Sequence, residues 1–153
     1  MIAVCFFVDA RGRCGKEIKT EEWLSVCRTF DVDMQLVIDR TNTKCFSPSE
    51  DSDHPAEVYA SIEAVFAKYP DASYVMIERQ APNPIAPTLL EDFQHPQGDV
   101  IYCFGPDSGG LEGLNPPNAS WVILDMSENT RWGMWALMAG TLVMHNRWKR
   151  GDT

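Results

Sequence analysis

The chain has 153 residues, 44% of them apolar and 23% charged, with a formal net charge of −9. That length suits a single domain, 1–153, with a sizeable core, and the sequence holds no apolar run of the ~20 residues that a bilayer crossing needs. The acidic balance is unfavourable for broad nucleic-acid binding, which needs positive charge facing phosphates, but it leaves room for RNA at a local basic patch.

In chain order the pattern alternates between strands and helices. Ile2 to Val8 is a continuous apolar run of strand length, and it reads as a first strand rather than a signal peptide, because no basic n-region or small-residue cleavage site accompanies it. Residues 9–19 are polar, with Gly12 and Gly15, and read as a loop. Thr20 suits a helix N-cap, with Glu21 and Glu22 favourable in the first turn, and Trp23, Leu24, Cys27 and Phe30 recur at helical spacing. Met34 to Ile38 is the next strand, and the polar stretch 39–54 reads as a long loop. Pro55 fits the first position of a helix, which Val58, Tyr59, Ile62, Val65, Phe66 and Tyr69 continue at amphipathic spacing to Pro70-Asp71. Ser73 to Ile77 is a strand. After Pro82, Pro84 and Pro87, a short helix is expected around Thr88 to Phe93. Asp99 to Phe104 is a strand, Asn115 to Asn118 a loop, Trp121 to Leu124 a last strand, and a final apolar helix runs from about Thr130 to Arg147.

Near-continuously apolar strands separated by helices indicate an α/β fold, with a parallel sheet covered on both faces. Such sheets bind ligands at the carboxyl ends of their strands, where Arg79-Gln80, the stretch after Phe104, and Asp125-Met126 fall. The five cysteines are scattered, odd in number and without a C-x-x-C pair. That speaks against a disulfide framework and a metal site, and for a reducing cytoplasm. Cys5, Cys27 and Cys103 lie in apolar runs and read as core residues. The three histidines, His54, His95 and His145, could belong to a small hydrolase or phosphatase, but no G-x-S-x-G elbow accompanies them. They read as structural or surface residues.

The most specific stretch is Phe104-Gly105-Pro106-Asp107-Ser108-Gly109-Gly110-Leu111, directly after an apolar strand. It lacks the Gly-Lys-Ser/Thr ending of a P-loop and is no G-x-G-x-x-G fingerprint. Its glycines let main chain come close to a neighbour. Together with the strand, polar loop and apolar helix that follow, it resembles the SpoU branch of the SPOUT methyltransferases, in particular the small tRNA wobble-ribose 2′-O-methyltransferases. Their signature is Phe-Gly-Pro-Glu-x-x-Gly-Leu, and their Ile-Pro-Met-like turn corresponds to Ile123-Leu124-Asp125-Met126. The element order matches over the whole chain; only 104–111 is specific.

The resemblance implies a parallel-sheet SPOUT fold with a C-terminal trefoil knot, S-adenosylmethionine (SAM) as cofactor, RNA as substrate and a homodimer packed through the last helix. The apolar residues Trp132, Met134, Trp135, Leu137, Met138, Leu142, Val143 and Met144 agree with a helix buried on more than one side, either in a dimer or in the core of a monomer. By carry-over, SAM would be held at Met76, Gly105, Pro106, Gly110, Ile123, Leu124, Arg131 and Met134. Asp107, in place of the family's Glu, would fix the loop.

The catalytic pattern departs from the family. The position of its first-helix Arg falls near Ser25 and Val26, leaving Arg28 one turn later as a substitute. Polar residues that lead into the family's last helix are replaced by Gly133, Trp135 and Ala136. Trp135 and Ala136 offer no acceptor for the 2′-hydroxyl proton, which ribose methylation must remove. Arg28 and Arg131 are the candidate catalytic residues, and Arg11, Arg13, Lys16, Lys19 and Arg28 form either a local RNA-binding patch or a solvated face. Two readings stay open: an active RNA methyltransferase with a rearranged acceptor site, and a SAM-binding or interacting homologue that has lost transfer.

Overall fold

The computed structural model describes residues 1–8, 16–40 (16–20 as backbone), 51–78, 85–106, 110–111, 113–124 and 136–151. The elements are β1 (Ile2–Phe7), α1 (Lys16–Phe30), β2 (Met34–Ile38), β3 (Ala56–Tyr59), α2 (Ile62–Lys68), β4 (Ser73–Ile77), β5 (Thr88–Leu89), β6 (Val100–Phe104), β7 (Ala119–Ile123) and α3 (Ala136–Arg150). The strands form one sheet in the order β3-β2-β1-β6-β4-β7-β5. Every pairing in it is parallel.

The sheet has a core on each face, and the two-residue period of each strand feeds both. Val4 and Phe6 of β1, Val75 and Ile77 of β4, and Val100, Tyr102 and Phe104 of β6 point into the core shared with α1 and α3. Ala3, Cys5, Tyr74, Met76, Ile101 and Cys103 point into the opposite core, under α2. Burial on both faces is why these strands are apolar without alternation. Cys5, Cys27 and Cys103 are buried free thiols, as their apolar surroundings predict. Burial pushes the Cys27 thiol up to about 12 and Cys103 well above its ordinary value.

Helices α1 and α3 meet at Trp23. Its indole stacks on Phe6 at 4.6 Å and leans on Phe104 at 5.1 Å. A Cβ at Gly140 of α3 would lie 2.5 Å from the Trp23 ring, so only glycine admits the ring at this crossing. Helix α1 ends where Asp31 takes a left-handed φ of 55°, with Val32 N–H donating to Cys27 O at 3.0 Å. Asp33 then bonds the start of β1 twice: its N–H donates to Ile2 O at 2.8 Å, and its carboxylate accepts Ile2 N–H at 2.6 Å.

Three expected boundaries differ. Helix α1 begins at Lys16, so Thr20 lies within it rather than capping it. Val58 and Tyr59 are not in a helix; they belong to β3, and α2 starts only at Ile62, capped by Ser61, whose hydroxyl accepts Ala64 N–H at 3.3 Å. Thr88 and Leu89 form a strand beside Val122 and Ile123, and the turn after it replaces the expected short helix. In both latter cases the pairing partner, a neighbouring strand, overrides the local spacing.

Candidate functional site

The strand order determines which loops meet. β4 lies between β6 and β7, with Ile77 opposite both Phe104 and Val122. The residues just past these strands therefore share one rim: Glu78 after β4, Gly105 and Pro106 after β6, and Leu124 after β7. Glu78 N–H still donates to Val122 O at 3.2 Å, and Leu90 N–H donates to Ile123 O at 2.9 Å. The carboxyl ends of parallel strands form the ligand-binding edge of such sheets.

The glycine loop closes on itself here. A Cβ on Gly105 would stand 3.5 Å from the Cα of Gly110, which shows how near the two ends of the loop run. Leu111 then turns inward and is fully buried under the α2 face. The Glu78 carboxylate lies against both ends. It accepts Leu111 N–H at 2.6 Å, and its Oε2 would be 2.6 Å from a Cβ on Gly110 and 3.3 Å from one on Gly105. Glu78 is the site residue that sequence reasoning missed. An acid after an apolar strand reads as a solvated strand end, and its two glycine neighbours come from 27 to 32 positions further along the chain.

Of the expected donor-site residues, Gly105, Pro106, Gly110, Ile123 and Leu124 come together on this rim. Pro106 is buried, and Ile123 and Leu124 are half-buried. Met76 lies one step inside the ladder, paired with Cys103 and Trp121, and its side chain is fully buried in the α2-side core. Arg131 and Met134 lie outside the described residues, as do Asp107, Arg11 and Arg13. A cleft of about 320 Å³ adjoins the rim at Leu124, between Leu89-Leu90 and the Leu142, Asn146 and Lys149 side of α3.

Arg28 is not brought to this rim. Helix α1 leaves the carboxyl end of β1 and returns to the amino end of β2, and Arg28 is in its last turn. There its guanidinium pairs with Asp51, Nε lying 3.1 Å from Oδ2. The other carboxylate oxygen of Asp51 accepts the N–H groups of Asp53 (2.9 Å) and His54 (3.1 Å). The Arg28 hydrogen bond, helped by these two, holds the Asp51 carboxyl below its ordinary value. Arg28 thus fastens the segment before β3. It also stands twelve residues from Lys16, about 18 Å along the helix axis, so the two do not share a compact patch. Arg40 does reach the carboxyl-end edge, its guanidinium 4.9 Å from the centre of the Phe7 ring.

The histidines take structural places. His95 is buried, its Nδ1 2.8 Å from the Tyr102 hydroxyl and its Nε2 2.9 Å from Asn146 Oδ1, tying β6 to α3. A neutral ring with its proton on Nε2 satisfies both contacts. His54 Nδ1 lies 2.7 Å from Val32 O, and His145 packs between Phe30 and Trp148. Among the described residues no group of acidic, histidine or cysteine side chains could hold a metal ion, and no helix is long and apolar enough to cross a membrane.

No family model matches the sequence, and no curated protein matches it. Solved structures do match. AviRb from Streptomyces viridochromogenes, a SpoU methyltransferase solved with AdoMet, is 12% identical at a TM-score of 0.68, over 99% of this chain and 58% of its own. TrmJ from Z. mobilis is 13% identical at a TM-score of 0.60, over 97% of this chain and 69% of its own. A protein solved to explain 2-OH methylation of C/U34 on tRNA is 12% identical at a TM-score of 0.62, over 98% of this chain and 97% of its own. The chain thus spans nearly the whole of the last and under three fifths of AviRb. The parallel sheet of the described residues thus shares its fold with these solved structures, among them the SpoU methyltransferase AviRb.

Proposed function

We propose that this protein is a cytoplasmic, SAM-dependent RNA methyltransferase of the SPOUT class, acting on tRNA through a rearranged acceptor site. The observation that carries the reading is the rim itself: the two ends of the glycine loop, Gly105 and Gly110, are packed together where β6, β4 and β7 end side by side. This suits a donor held through main chain, with half-buried Ile123 and Leu124 offering apolar surface beside it. AviRb, with the same fold, was solved with AdoMet. In this reading SAM supplies the methyl group as an electrophile. Gly105, Pro106, Gly110, Ile123, Leu124 and Met134 hold it, Met76 supports the rim from within, and Arg131 orients the acceptor phosphate.

The reading includes a C-terminal trefoil knot and a homodimer built on α3. Met138, Leu142 and Trp148 are 56%, 46% and 53% exposed, an apolar side of the helix that the described residues leave uncovered. Met138→Glu is expected to give monomer in light scattering; a dimer unaffected by the charge would place the interface elsewhere.

A second reading, a homologue that binds SAM without transferring its methyl group, is favoured by Arg28, which pairs with Asp51 far from the rim. Titration calorimetry with SAM and its demethylated product tests both. No heat at millimolar ligand rejects both readings. If SAM binds, incubation with labelled donor and tRNA from a methylation-deficient host separates them: label in RNA supports transfer, and silence across several RNA pools supports the second reading.

A further inference from the structure

Glycine-rich loops beside a ligand edge are ordinarily explained by the ligand, whose approach leaves no room for a Cβ. Here an internal group occupies that room. A Cβ on Gly110 would meet the Glu78 carboxylate at 2.6, 3.1 and 3.4 Å (Oε2, Cδ and Oε1), and one on Gly105 would meet Oε2 at 3.3 Å. The same Oε2 accepts Leu111 N–H at 2.6 Å. Leu111 is fully buried and anchors the far end of the loop in the core. Glu78 itself is held at the end of β4 by its own N–H, which donates to Val122 O on β7. The carboxylate, carried by the central strand, thus lies against the near end of the loop at Gly105 and bonds its far end at Leu111 beside Gly110.

We propose that Glu78 is the positioning residue of the donor site, fixing both ends of the glycine loop so that main-chain groups face the ligand without reorganising. A hydrogen bond from a main-chain N–H to a carboxylate is stronger than a neutral one, and a loop held in its binding shape loses less freedom when ligand arrives. Gly110 leaves the room that the carboxylate fills, and Gly105 runs close beside it. This deepens the SAM reading and rests on it for the affinity arm of the test; the amide arm does not depend on SAM.

The experiment compares the full chain with Glu78→Ala, Glu78→Gln, Gly110→Ala and the Glu78→Ala/Gly110→Ala double variant. Two quantities are read: hydrogen-exchange protection of the Leu111 amide without ligand, and SAM affinity by calorimetry. Glu78→Ala is expected to lose Leu111 protection and to weaken SAM about tenfold, the scale of one charge-assisted hydrogen bond. Glu78→Gln keeps an acceptor oxygen and is expected to recover most of both. Gly110→Ala expels the carboxylate and should reproduce Glu78→Ala, whereas the double variant should be no worse than either single one. Should Glu78→Ala fail to fold, Gly110→Ala carries the same test at an exposed position. Unchanged Leu111 protection in Glu78→Ala and Gly110→Ala overturns the proposal. So does lost protection with unchanged SAM affinity. If the unaltered protein binds no SAM, the donor reading fails, and Leu111 protection alone decides whether Glu78 holds the loop.

Discussion

The Trp23 ring occupies the space where a side chain on Gly140 would be, with Cη2 2.5 Å and Cζ3 2.6 Å from the Cβ position. The ring cannot retreat, because Phe6 stacks on it at 4.6 Å with an interplanar angle of 9°. Gly140→Ala should therefore push α3 off α1 in spite of alanine's better helix propensity, at a cost of about 1–3 kcal/mol for overpacking. Urea unfolding measures this. A neutral or stabilising result would show that the two helices slide apart freely.

Gln35 lies in β2 with no exposed surface, and neither its Nε2 nor its Oε1 has a hydrogen-bond partner among the described residues. A buried amide without partners costs about 1–3 kcal/mol. Gln35→Met keeps the length and removes the polar atoms. The expected outcome is a higher urea midpoint with an unchanged slope; a lower midpoint would mean that the amide is satisfied in solution.

Glu57 supplies the pH dependence. Burial raises its carboxyl, but hydrogen bonds from Lys68 at 2.7 Å, from Tyr59 and from Tyr69 at 3.1 Å outweigh it, and the net shift is downward. A lowered acid contributes stability that is present above its unfolded value and is lost as pH falls through its folded value. The stability gap between the unaltered protein and Glu57→Gln should thus be full at neutral pH and close below about pH 4. Melting curves from pH 3 to 7 check this; a gap that widens in acid would reverse the sign.

Arg28→Ala separates the two ends of the sheet. If Arg28 only fastens Asp51, SAM affinity should stay within about twofold, as for distant sites without shared partners, while proteolysis near residues 51–54 quickens. A tenfold loss of affinity would place Arg28 at the proposed donor site, in addition to its expected catalytic role.

The central strands were legible because burial on both faces leaves a continuous apolar run, as in Ile2–Phe7 and Val100–Phe104. β3 was not, because Val58 and Tyr59 happen to continue the helical spacing of Ile62 and Val65; Ser61, a favoured N-cap residue, was the signal that could have placed the helix start. β5 has two residues, and only its partner β7 makes it a strand. At the site, Gly105 and Gly110 stood out as glycines. Glu78 did not, since nothing local distinguishes it, and its role exists only once β4 lies beside β6. Arg28 has helical spacing to the expected position but the wrong end of the helix, which a one-dimensional pattern does not register.

The strand order has a consequence for synthesis. β6 inserts between β1 and β4, with Ile2 and Ser73 both opposite Val100. A nascent chain that has reached residue 78 already holds four of the strands, yet the inner edges of β1 and β4 have no neighbour until residue 104 has emerged. Unpaired apolar edges recruit other chains. Fragments that contain β1 and β4 but end before β6 should therefore aggregate where a chain that includes β6 does not.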